Sequence, residues 1–181
     1  MSLQRGYVLL WHEPRYGTNW LVKLTGWLIN LFQKKPKKTK EDYVHAAICI
    51  DPAQLLIVEA ILPKVYEDYL TIQDFTEQRI DYFEVNGTIP ADIEKACKLA
   101  WSFRGKSYDL WGLLGLFYTS RTASLYCTRL VCECYTQLWN KFSGYKLISP
   151  DDLFASGLLT YKGCLSHDQL PDYWPDTTSP A

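Results

Sequence analysis

Three of the six cysteines lie close together, at Cys127, Cys132 and Cys134. The segment is predicted to be helical, so Cys132 and Cys134 point about 200° apart around the helix and cannot share a metal ion or a disulfide. Structural zinc sites pair thiolates at a C-x₂₋₄-C spacing, usually with a second pair or histidines. We therefore expect no metal and no cofactor, and interpret Cys132, Cys134, Cys97 and Cys164 as packed thiols.

Cys127 differs because an irregular segment of small residues gives way to helix at this position. A thiol at a helix N-terminus feels the positive end of the helix dipole, which favours the thiolate. Position alone makes Cys127 a candidate nucleophile, against the simpler interpretation of a buried thiol. A nucleophile of this kind also needs a base.

Three histidines are candidates for that base. His12 follows the first predicted strand and His167 lies in the predicted tail, so both are interpreted as surface residues. His45 lies in an otherwise apolar strand pattern, YVHAAICID, where a hydrogen-bonded core histidine is the simpler interpretation. Glu59 is the charged residue of the next apolar strand, LLIVEA, and buried carboxylates are unusual unless paired.

The pairing of these two strands decides whether His45 and Glu59 meet. Facing residues of an antiparallel hairpin share one side of the sheet, and side chains alternate between the sides. A loop of odd length at DPAQ puts both residues on the same face, directly opposite each other in one register, whereas an even loop separates them. A carboxylate beside an imidazole fixes its tautomer and stabilises the imidazolium, as in catalytic triads.

The hydrophobic pattern places strands before helices, which predicts an α+β fold. The 181 residues fit one domain over 1–163, followed by an irregular tail over 164–181. Strands are predicted at 6–11, within a hairpin over 43–60, and at 79–85. Helices are predicted at 20–32, 90–105, 108–117, 127–142 and 149–154, the last capped by Ser149.

Charge and hydropathy limit the partners and the compartment. The formal net charge of −1 argues against a nucleic-acid binder that relies on overall positive charge. No secretory signal and no apolar run long enough to span a bilayer is visible, so we expect a cytoplasmic protein, unless a phage or virus delivers it elsewhere. Residues 20–38 combine apolar helical spacing with the basic run KKPKK, which predicts either peripheral contact with an anionic membrane or a helix packed on the sheet.

The segments YVHAAICID, IVEA, GKSYDLWG and YCTRLVCECY occur in this order. In them the chain resembles the circularly permuted, YiiX/YaeF-like branch of the NlpC/P60 superfamily of papain-like cysteine hydrolases. The resemblance covers roughly residues 5–155 and includes SPDDL near its end. It implies a permuted papain-like fold, in which an antiparallel sheet or partial barrel packs against helices and the histidine strand precedes the nucleophile helix.

The resemblance also implies residue roles: Cys127 as nucleophile, His45 as base, Glu59 as the polar third member, and Tyr108 as an oxyanion-binding tyrosine beside the nucleophile. The alternative for Tyr108 is an ordinary packed aromatic ring. Relatives often carry serine after the cysteine, where this chain has Thr128, a change that leaves the proposed chemistry intact.

The implied activity is hydrolysis of an amide or ester, such as a cell-wall peptide. The alternatives are a lipid-acting thiol acyltransferase or hydrolase, and a non-catalytic binding module on the same fold. A redox thiol protein would need a resolving cysteine near Cys127, and the predicted helix offers none in a suitable position.

Overall fold

The structure is a computed structural model that describes residues 3–12, 43–109, 124–145 and 147–165. These residues form an α+β arrangement of eight strands and five helices. The strands are β1 (Val8–Trp11), β2 (His45–Asp51), β3 (Leu56–Ile61), β4 (Lys64–Tyr69), β5 (Ile80–Val85), β6 (Ser107–Tyr108), β7 (Ser124–Leu125) and β8 (Leu159–Cys164). The helices are α1 (Ile72–Glu77), α2 (Pro90–Ser102), α3 (Cys127–Cys134), α4 (Thr136–Phe142) and α5 (Pro150–Ala155).

All eight strands belong to one sheet, in the order β7-β6-β4-β3-β2-β1-β5-β8. Neighbouring strands run antiparallel, apart from the parallel pair β6–β7. Alternate residues of the central strands enter two separate apolar clusters, since Ile48 and Val58 pack with α3 while Ala47 and Ile57 pack with Tyr82. The sheet therefore has an apolar layer on each face, and α3 lies on one of them.

The predicted strands and the final helix are confirmed. β1, β2, β5 and α2 fall within the predicted segments, and β3 and α5 each extend one residue beyond theirs. Ser149 caps α5 through a capping box with Asp152. β4 and α1 were not predicted. In β4, exposed charged residues interrupt the apolar pattern that marks a strand. Tyr108, expected to begin a helix, lies in β6 instead.

The prediction of one long helix over 127–142 is wrong, because this segment forms two helices. Tyr135 separates α3 from α4 with the extended backbone angles φ −117° and ψ 118°. Its buried hydroxyl donates to the carbonyl oxygen of Gly6, two residues before β1. Gly6 has φ +80°, and a Cβ there would lie 2.5 Å from the side chain of Ile93, so the close approach requires glycine.

Several predictions fall outside the described residues: the helix and basic run at 20–38, the remainder of the helix at 108–117, and the tail from 166 onward. Cys164, the first residue of the predicted tail, is the last residue of β8. In the part of the chain that the structure describes, every helix is too short or too polar to cross a lipid bilayer.

Candidate active site

Cys127 is the first residue of α3, as the sequence predicts. The preceding residue, Tyr126, has extended backbone angles, and the first intrahelical hydrogen bond runs from the Leu130 N–H to the Tyr126 carbonyl at 2.9 Å. The N–H groups of the first turn, including that of Cys127, thus have no partner within the helix and point toward its N-terminal end. The side chain of Cys127 is buried, and these N–H groups favour negative charge beside it.

The β2–β3 hairpin brings His45 and Glu59 to the same face, although not in the directly opposed register. Ala47 faces Glu59, so His45 is its diagonal neighbour. The turn over 52–55 has four residues, and an even loop alone would put the two side chains on opposite faces. The register shifts between Cys49 and Asp51, where β2 carries one extra residue, Ile50. This β-bulge restores the shared face.

His45 lies between a carboxylate and a thiol. Its Nε2 is 2.6 Å from Oε2 of Glu59, and the side chains of His45 and Glu59 are 12% and 1% exposed. The Cys127 thiol lies close enough to the imidazole to raise its pKa. Because Nε2 is held by Glu59, Nδ1 is the nitrogen left to exchange a proton with the thiol. Trp11 packs against the imidazole, with ring centroids 5.2 Å apart.

The surroundings of His45 keep its imidazole protonated. Burial lowers its pKa, but hydrogen bonds with Cys127 and Glu59 outweigh that effect and raise the pKa to about 9. The imidazolium is therefore the main form at neutral pH, which suits a thiolate partner.

Tyr108 is brought close to the nucleophile by the short parallel pair of β6 and β7. Tyr108 faces Leu125, two residues before Cys127, and the Asp109 N–H donates to the Leu125 carbonyl at 3.1 Å. Burial and the neighbouring charge of Cys127 raise the pKa of Tyr108 well above its usual value. The phenol therefore stays protonated and keeps its hydrogen-bond donor.

The structure thus brings Cys127, His45, Glu59 and Tyr108 together. All six cysteines are free, and Cys132, Cys134 and Cys97 are buried, as expected for packed thiols. Cys164, also predicted to be packed, is only partly buried at the end of β8. Among the described residues, no group of three or more His, Cys, Asp or Glu side chains is placed to hold a metal ion.

The interpretation of His12 as a surface residue is wrong. Its side chain is 14% exposed, and its Nε2 lies 3.0 Å from Oδ2 of the buried Asp81. Tyr43 donates its hydroxyl to the same oxygen at 2.7 Å, and Arg79 bonds the carboxylate as well. The sequence holds a signal for this pair, since Asp81 is a carboxylate in an apolar strand, as Glu59 is.

No family model and no curated protein matches the sequence. The structure is similar to the crystal structure of yiiX from Escherichia coli O157:H7, which is described as a metalloprotein. The similarity has a TM-score of 0.60 and 16% sequence identity, and covers 90% of this chain and 98% of that chain. At this identity the likeness establishes a shared fold.

Proposed function

We propose that this protein is a cysteine hydrolase of the permuted NlpC/P60 type, which transfers an acyl group through a thioester on Cys127. The observation that carries the proposal is the placement of the His45 imidazole between the Glu59 carboxylate and the Cys127 thiol. A thiol, a base and a carboxylate that orients the base are the parts that a thiol acyl-transfer site needs. The fold shared with yiiX is compatible with this assignment.

In the proposed resting state, Nδ1 of His45 already carries the proton of the Cys127 thiol, so the site holds a thiolate–imidazolium pair. The thiolate attacks the carbonyl carbon of an amide or ester, and the carbonyl oxygen becomes an oxyanion. The Cys127 N–H and the protonated Tyr108 hydroxyl are the proposed donors to that oxyanion, and losing one such donor typically costs about 10²–10³ in rate. The imidazolium then protonates the leaving amine or alkoxide, which leaves a thioester on Cys127.

In the second half, His45 takes a proton from water while the water oxygen attacks the thioester carbonyl. The C–S bond breaks, the carboxylic acid leaves, and the proton stays on His45, which restores the thiolate–imidazolium pair. Glu59 holds Nε2 in both halves, so the same nitrogen of His45 acts as base and as acid. An alcohol or amine in place of water would make the same site an acyltransferase. A cell-wall peptide and a lipid acyl group both present the carbonyl that these steps require.

Acyl-enzyme trapping tests the proposal. After incubation with p-nitrophenyl acetate, we expect an intact-mass increase of one acetyl group, located on Cys127 by peptide mapping and removed by neutral hydroxylamine. Cys127→Ala should abolish it, whereas Cys132→Ala, on the same helix, should retain it. Acetylation of Cys132 or of a lysine instead, or no acetylation, would contradict the hydrolase assignment and favour a non-catalytic binding module.

A further inference from the structure

The two residues that flank the nucleophile both bond to Ile148. The Ile148 N–H donates to the Tyr126 hydroxyl oxygen at 3.0 Å, and the Thr128 hydroxyl donates to the Ile148 carbonyl. Tyr126, Thr128 and Ile148 are all buried. Both backbone polar groups of one distant residue are therefore satisfied by the side chains on either side of Cys127.

The segment that follows Ile148 is held by a capping box at the start of α5. The Ser149 N–H donates to Oδ2 of Asp152 at 2.8 Å, and the Asp152 N–H donates to Oγ of Ser149 at 3.1 Å. Pro150 occupies the first turn of α5, where its fixed φ suits a helix. These hydrogen bonds and Pro150 thus fix Ile148 relative to α5.

The same helix holds the chain just before the proposed base. Oδ1 of Asp151 accepts the Tyr43 N–H at 2.9 Å, and the rings of Phe154 and Tyr43 lie 5.3 Å apart between centroids. Tyr43 precedes His45 by two residues in the sequence. One short segment therefore contacts both the start of the nucleophile helix and the approach to the histidine strand.

We infer that residues 148–154 form a brace that sets the position of Cys127 relative to His45. The inference rests on the proposed function and adds positioning residues to it: Thr128 and Tyr126 on the nucleophile side, and Asp151 on the base side. None of these side chains is assigned a proton-transfer step. Such positioning has a large effect on rate, since a displacement of about 1 Å can cost roughly 10²-fold.

Two pairs of variants test the brace. Thr128→Val removes the hydroxyl at nearly constant volume, and Thr128→Ser keeps it as the matched control. Asp151→Ala removes the acceptor for the Tyr43 N–H, and Asp151→Asn keeps an acceptor oxygen. Circular dichroism and thermal melting select the variants that fold, so the Asp151 pair decides the matter if Thr128→Val does not fold.

The measured quantity is the rate at which iodoacetamide and anionic iodoacetate alkylate Cys127 in each variant. These rates are compared with the rates for His45→Ala. A neighbouring imidazolium attracts the anionic reagent, so the iodoacetate-to-iodoacetamide ratio reports on the Cys127–His45 separation. We expect wild type to have a high ratio, and Thr128→Val and Asp151→Ala to lose about tenfold in rate, with ratios near that of His45→Ala. Thr128→Ser and Asp151→Asn should stay within about twofold of wild type.

The outcomes separate the two proposals. If wild-type alkylation depends on His45 while folded Thr128→Val and Asp151→Ala behave as wild type, the brace is overturned and the hydrolase proposal stands. If wild-type alkylation is indifferent to His45, the hydrolase proposal fails and the brace fails with it.

Discussion

The residues that the structure describes include two buried histidine–carboxylate pairs of similar geometry. His45 lies 2.6 Å from Glu59 and His12 lies 3.0 Å from Asp81, and in both pairs the carboxylate is 1% exposed. Their further neighbours differ. Asp81 also bonds the Tyr43 hydroxyl and the Arg79 guanidinium, whereas His45 has the thiol of Cys127 beside it, which raises the pKa of the imidazole.

The difference shows that the pair alone does not define a catalytic site. Burial raises the pKa of Asp81, but hydrogen bonds from His12, Tyr43 and Arg79 outweigh it and the pKa is lowered. That carboxylate ties three groups together, which is a structural role. At His45 the group beyond the imidazole is a potential nucleophile at a helix N-terminus, and such a combination supports chemistry.

Replacing each histidine with alanine in turn gives the largest expected difference between the two pairs. His45→Ala should slow alkylation of Cys127 at pH 6 by about 10²–10⁴-fold, because the thiolate loses the imidazolium that stabilises it. His12→Ala should leave that rate within about threefold, because its carboxylate partner serves the fold. Mass-spectrometric peptide mapping of iodoacetamide labelling measures both. Equal losses in the two variants would erase the distinction between the pairs.

Replacing Asp81 should have a large effect on stability, so in this experiment the larger effect falls on the His12–Asp81 pair. Asp81→Ala leaves His12, Tyr43 and Arg79 without a shared anion and should lower the free energy of unfolding by about 3–5 kcal/mol. Urea denaturation at pH 7 measures it, with Glu84→Ala as the control on the same strand. Glu84 is 40% exposed and paired with Lys162, so its loss should cost about 1 kcal/mol or less. A similar small loss for Asp81→Ala would contradict the structural role.

The raised pKa of His45 predicts a pH dependence of stability. Its pKa is about 9 in the fold, against 6.5 ordinarily, so the stabilisation is fully present below about pH 6.5 and is lost as the pH rises through 9. The free energy of unfolding of wild type relative to His45→Ala should therefore fall by up to about 3 kcal/mol between pH 6 and pH 9.5. Parallel urea titrations of the two proteins measure the difference. A difference that stays constant across this range would show that the imidazole is not held protonated.

Glu59→Gln should have the smallest effect of these substitutions and the one most specific to the candidate site. The amide keeps a hydrogen bond to His45 but removes the charge, so the pKa of His45 should fall from about 9. The alkaline limb of the acetylation rate should move to lower pH, by roughly one unit, and the maximal rate should fall about tenfold. Stopped-flow release of p-nitrophenol over pH 6–10 gives both quantities. Asp81→Asn, the equivalent change in the other pair, should leave the alkaline limb in place.

Sequence reasoning located the parts of the candidate site that leave a local signal. Cys127 stands where an irregular segment meets a helix, and His45 and Glu59 are polar residues in apolar strands. The break at Tyr135 left no such signal, because apolar spacing continues across it and the cause is a hydrogen bond to the distant Gly6. The contacts of Ile148 with Tyr126 and Thr128 likewise join segments about twenty residues apart, and only the fold reveals them.

The shared face of His45 and Glu59 was predicted, but neither its cause nor the register of the β2–β3 hairpin was. The shared face of His45 and Glu59 was expected from an odd loop, whereas the structure uses an even turn and one extra residue at Ile50. Ile50 is β-branched and buried, as residues of a regular strand often are, so its type does not mark a bulge.

The bulge at Ile50 also limits how this hairpin can change length. Removing or adding a single residue between His45 and Glu59 would send one of the two side chains to the opposite face, unless a second irregularity compensates. Two residues could be added to the turn over 52–55 without altering how β2 pairs with β3. Length variants made by single-codon deletion should therefore lose His45-dependent reactivity while paired insertions keep it, so the hairpin tolerates even steps and rejects odd ones.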